Sequence, residues 1–76
     1  MMMDMTTLNQ LKTGDVGRVI KVGGGHGIRQ KLFLRGLFEG SSVRVISSSG
    51  PVTVEVDRNV VCIGRGMAQK IMVHKA

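Results

Sequence analysis

Val52, Val54 and Val56 alternate with Thr53, Glu55 and Asp57, so one side of this segment is apolar and the other polar. A period of two marks a strand with one buried face. Arg58-Asn59 reads as a tight turn, after which residues 60–63 return as the hairpin partner. Residues 16–22 are rich in Val and Ile and form another strand. Val19 and Ile20 are adjacent there, which breaks the alternation and predicts burial on both faces, as in a small barrel. Residues 43–47 make a strand, and Pro51 can only open the one after it. Ile71 and Val73 alternate with Met72 and His74 in a last strand.

A helical period occurs best in residues 28–35. Ile28 and Leu32 stand four apart, and Lys31 and Arg35 do so on a neighbouring stripe. Gly36 fits the position that ends a helix in a left-handed conformation. The run Gly23-Gly24-Gly25-His26-Gly27 before it reads as a flexible loop. Leu8 and Leu11 flank a short turn that Thr6 or Thr7 could cap, and residues 64–69 read as a short helical turn. The pattern is therefore mainly β with short helices: five short strands, with one helix after the first. No repeated parallel crossover exists, and a small closed barrel would remove the sheet edges. The chain, residues 1–76, is expected to be a single domain with a disordered Met-rich start over residues 1–5. That start lacks the basic and apolar regions of a signal peptide. The longest apolar stretches fall far short of the ~20 residues that span a bilayer. A soluble, cytoplasmic protein without membrane insertion is expected.

Charge changes this picture by pointing to partners. The net charge is +6, which favours nucleic acid, an anionic surface or an acidic protein. The eleven Lys and Arg are spread along the chain without a run, which argues against a basic tail. Phe33 and Phe38 are the only aromatics, whereas single-strand binders stack bases on aromatic platforms. Nucleic acid is therefore the second choice of partner.

Candidate chemistry fails on spacing. The glycine run is not followed by the Lys-Ser or Lys-Thr of a P-loop, and Gln30 stands where a dinucleotide fingerprint needs glycine. His26, His74 and Cys62 lack zinc-ligand spacing, so neither a metal site nor a cofactor is expected. Cys62 lies among Val60, Val61 and Ile63 and reads as a buried, inert thiol. As the single cysteine, it permits no intrachain disulfide. Met67 and Met72 read as core fillers. The acidic residues and histidines form no catalytic pair or triad, so an enzyme is not expected.

Residues 28–40, Ile-Arg-Gln-Lys-Leu-Phe-Leu-Arg-Gly-Leu-Phe-Glu-Gly, resemble the R-L-x-x-[LM]-G-[LI]-x-x-G signature of the ferrous iron transport protein A (FeoA) family. Further pieces follow in the family's order: Leu8 and Leu11 before Gly14, the second strand at residues 43–46, Gly50-Pro51 before the third strand, and a closing Ala68-x-x-Ile71-x-Val73. The resemblance covers residues 6–74. Two positions depart from it. Lys31 replaces the usual Arg, and Arg35 stands where Leu or Met is usual. Either a register shift lets Leu34 take the buried role, or Arg35 is an exposed charge.

The resemblance implies an SH3-like barrel of about five strands with a helix inserted after the first. It also implies a cytosolic accessory role in Fe(II) uptake, with a FeoB-type GTPase permease as partner. The motif residues Gly14, Gly36, Gly40, Leu32, Leu37, Ala68 and Ile71 are expected to be structural. Contact with the partner is expected from the helix and its approach: His26, Arg29, Lys31, Arg35 and Phe38. A nucleic-acid-binding barrel and a direct Fe(II) chaperone are the rivals, and self-association through an edge or the helix is open.

Overall fold

The computed structural model describes residues 5–76. It contains six strands: β1 (Met5–Thr7), β2 (Val16–Val22), β3 (Ser42–Ser47), β4 (Val52–Val56), β5 (Asn59–Ile63) and β6 (Ile71–Lys75). A 3₁₀ turn, Leu8–Gln10, follows β1. Helix α1 (His26–Leu34) joins β2 to β3, and α2 (Arg65–Ala68) joins β5 to β6. All pairings are antiparallel, in the order β1-β6-β2-β3-β4-β5. Five strands were expected; the sixth is β1, a three-residue strip against β6 that is too short to leave a period in the sequence. Met5 opens it, and residues 1–4 of the expected disordered start lie outside the described residues.

The ladder wraps around one core but remains open between β1 and β5. The edges that a closed barrel would have abolished are therefore still present. The wrapping depends on two β-bulges. In β2, Val19 faces Val73 and Lys21 faces Met72, so Ile20 is the extra residue. This explains the broken alternation in that strand: Val19 and Val22 both point inward, while Ile20 is 37% exposed. Burial on both faces is not the cause. Ile46 plays the same part in β3, between Val45↔Val54 and Ser47↔Thr53.

Inside, Val52, Val54 and Val56 of β4 pack with Val61 and Ile63 of β5, Val43 and Val45 of β3, and Ile71 and Val73 of β6. Leu8, Leu11, Leu32, Leu37 and Ala68 close the ends of this core, with Met67 packed against it. The β4–β5 turn falls one residue earlier than the sequence suggested: Val56 pairs with Asn59, and Asp57-Arg58 are the loop. Their φ values are +50° and +67°. Two consecutive positive values form the type I′ turn that a right-twisted hairpin needs; Asp57 tolerates that region, but Arg58 does not favour it. Replacing the loop by Asp57→Asn together with Arg58→Gly is expected to stabilise the domain by about 1 kcal/mol. A rise in the urea midpoint at unchanged slope checks it.

Candidate partner-docking surface on α1

The approach to α1 is pinned. The Gly23 N–H donates to the Lys70 carbonyl at 2.8 Å, and a Cβ at Gly23 would lie 2.9 Å from that oxygen. Gly24 follows at φ +88°. The glycine run therefore opens with a bend held at Gly23 against the residue before β6, and its last two residues, His26 and Gly27, belong to α1. Gly25 serves as N-cap, so α1 starts at His26, two residues before the expected Ile28.

The far end of α1 closes in a Schellman motif. The Gly36 N–H donates to the Phe33 carbonyl (3.0 Å), and the Leu37 N–H donates to the Leu32 carbonyl (2.9 Å). Gly36 sits at φ +92°, as the sequence indicated. The motif carries its usual apolar clasp, since Leu32 and Leu37 are both buried in the core. Leu34 does not take the buried role: it is 76% exposed, and Arg35 beside it is an exposed charge.

Leu32 is the only buried residue of α1. Ile28, expected on the buried stripe with it, is 42% exposed. Phe33 is 57% exposed and Phe38 45%, with ring centroids 5.3 Å apart and planes tilted by 48°. The Schellman turn produces this pair. It folds Leu37 back onto Leu32, which brings the next residue of each side together. Ser41 then fixes the returning loop. Its Oγ donates to the Gly36 carbonyl (3.0 Å) and accepts from the Phe38 N–H (3.0 Å). Ser41→Ala leaves both groups without that partner and is expected to cost about 1–2 kcal/mol. A lower urea midpoint, with a changed Phe38 resonance environment by NMR, checks it.

A groove of about 300 Å³ runs beside the aromatic pair. His26, Arg29, Gln30 and Phe33 line it from α1, Phe38 and Glu39 from the following loop, and Val22 from β2. Of the five expected contact residues, the structure gathers His26, Arg29 and Phe38 here. Lys31 and Arg35 are exposed nearby but do not line the groove. Phe33, Gln30, Val22 and Glu39 were missed. Phe33 was legible in principle, because Gly36 at the helix end sets the turn that pairs it with Phe38.

Glu39 is the one acidic residue lining the groove, and the helix beside it is basic. Helix α1 has no acidic residue, and Arg29, Lys31 and Arg35 form no ion pair among the described residues. Other cations serve the fold. Arg44 pairs with Glu55 at 2.8 Å, and Lys75 lies 3.8 Å from Asp15. The Arg65 guanidinium donates to the carbonyls of Ser48 (2.8 Å) and Gly50 (3.2 Å), tying the β3–β4 loop to α2.

Among the described residues, no three His, Cys, Asp or Glu side chains converge on a metal-sized site. Cys62 is exposed, contrary to the buried thiol expected of an apolar run. The alternation of β5 turns Val61 and Ile63 inward and leaves Val60 and Cys62 outside. No helix among the described residues is long and apolar enough to cross a membrane.

The class of protein these features define is a small wrapped β-sheet with an exposed apolar and basic helix inserted after its second strand. The profile of the FeoA domain family matches residues 6–75. A Methanocaldococcus jannaschii protein provisionally named Fe(2+) transport protein A is 39% identical over 66 residues, covering 86% of this chain and 80% of that protein. The crystal structure of an iron uptake regulatory protein, FeoA, aligns with a TM-score of 0.86 at 38% identity, over 95% of this chain and 97% of that one. The FeoA protein of Chlorobium tepidum, solved by NMR, gives 0.86 at 27% identity, over 92% and 70% of the two chains. The chain belongs to the FeoA domain family. Its fold is the SH3-like barrel with an inserted helix that the resemblance implied, with its sheet left open.

Proposed function

We propose that residues 1–76 act as one FeoA-type domain, a cytosolic, non-enzymatic accessory protein of Fe(II) uptake. It binds the cytosolic part of a FeoB-type GTPase permease and modulates or assembles it. Through that partner it sits at the inner face of the membrane. The docking surface is α1 with the Phe33–Phe38 pair, and His26, Arg29, Lys31 and Arg35 supply the charge.

One observation carries this reading: a nine-residue helix on a folded domain buries only Leu32 and presents Ile28, Phe33 and Leu34 to solvent. Exposed apolar surface rimmed by charge marks interaction sites. Aromatic anchors with arginine beside them are the residue types that dominate binding energy. Calorimetric titration of the chain with the permease's cytosolic part tests it. Saturable binding that Arg29→Glu weakens supports the reading, and absence of association overturns it.

A further inference from the structure

Strand β5 ends the ladder, paired to β4 alone. The two-residue turn at Asp57-Arg58 decides which of its backbone groups are left over. Such a turn makes Val56↔Asn59 a hydrogen-bonded pair, so Val54↔Val61 and Val52↔Ile63 are hydrogen-bonded as well. Glu55↔Val60 and Thr53↔Cys62 are then the alternate, non-hydrogen-bonded pairs. The 3.6 Å approach of Thr53 Oγ1 to Cys62 Sγ fits that class, whose side chains come closest. The N–H and C=O groups of Val60 and Cys62 therefore face away from β4. No turn, loop or cap hydrogen bond takes them up among the described residues.

Proteins usually blunt such an edge with a charge, a proline or a bulge, or keep it very short. The opposite edge, β1, has only three residues. β5 has five, Asn-Val-Val-Cys-Ile, without charge or proline, and Val60 is 62% exposed.

We infer that β5 is a self-association site at which a second copy of the chain pairs antiparallel across a two-fold axis. Both members of a hydrogen-bonded pair must point at the shared edge. Val60 opposite Cys62 of the second copy, and the reverse, meets this condition with the strands fully overlapped and Val61 on the axis. Every free group of Val60 and Cys62 then has a partner, and apolar side chains meet apolar ones. The same register directs Asp57 of each copy, in no ion pair among the described residues, toward the end of β5 from which Arg65 leaves in the other. Arg58 shares that loop with Asp57, so the charges at each end are mixed and the pairing rests on the backbone groups and apolar side chains of the edge. The two Cys62 become diagonal neighbours about 7–8 Å apart, past the reach of a disulfide, so the association is non-covalent.

Each copy carries +6, so repulsion opposes the pairing and salt relieves it. Self-association therefore tightens as salt rises, the opposite of binding to an acidic partner.

Amide exchange by NMR at increasing protein concentration, with sedimentation equilibrium at low and high salt, tests the inference. In dilute samples the amides of Asn59, Val61 and Ile63 exchange slowly and those of Val60 and Cys62 fast. With concentration, the latter two slow at least about tenfold, and the mass approaches a dimer more readily at high salt. Val60→Pro removes an edge N–H that the hairpin does not use, and Val60→Lys places a charge beside the edge. Both are expected to yield folded monomers. A chain that stays monomeric at millimolar concentration at both salts would overturn the inference. So would a dimer that both variants leave intact. Protection of Val60 and Cys62 that arises only on adding the permease's cytosolic part would assign the edge to that partner instead of a second copy.

Discussion

Leu37→Ala is expected to destabilise the domain by about 3 kcal/mol, within the range for truncating a fully buried leucine. Leu37 has no exposed surface and joins the core between the end of α1 and β3. Its backbone also completes the helix end through the Leu32 carbonyl. A domain of this size holds on the order of 5 kcal/mol in total, so the variant is expected to be substantially less resistant to urea. Leu37→Met keeps the volume and is expected to cost less than about 1.5 kcal/mol. Urea unfolding followed by far-UV circular dichroism gives both numbers. Equal midpoints for the two variants would mean that α1 is not anchored through this residue. Because Phe38 is the next residue, the anchored Leu37 also holds the proposed docking surface in shape.

Phe33→Ala combined with Phe38→Ala separates binding from folding. Both rings are about half exposed and lie outside the buried core, so their loss is expected to change stability by less than about 1 kcal/mol. Binding to the permease's cytosolic part is expected to weaken by roughly tenfold to a hundredfold, the scale of losing aromatic anchors at an interface. Unchanged affinity with unchanged stability would move the docking surface elsewhere.

Much of this fold was legible because its valines alternate cleanly. The β4–β5 hairpin, the inserted helix and the left-handed Gly36 follow from period and composition. What the sequence concealed has physical causes. Bulges at Ile20 and Ile46 shift the inward face by one position, and no residue type announces a bulge. β1 is too short to show a period. Cys62 lies in a run of apolar residues that cannot reveal which members face out on an edge strand. The turn at Asp57-Arg58 puts an arginine at positive φ, where Asn59 would be the more usual residue, so composition placed it one residue late.

The groove beside α1, the proposed docking surface, was half legible. Charge and position singled out His26, Arg29 and Phe38, which the structure gathers at one groove. They also singled out Lys31 and Arg35, which are exposed but do not line that groove. Phe33 was passed over because nothing in the period of residues 28–35 marks it apart from its neighbours. Only the turn after Gly36 shows that it pairs with Phe38 in solvent.

The most direct test is a calorimetric titration of the chain with the cytosolic part of the permease, at low and at raised salt. Saturable binding that weakens with salt, and that Phe33→Ala with Phe38→Ala largely removes, is the predicted result. No association with the permease, beside tight salt-sensitive binding of RNA by the same sample, would contradict the account.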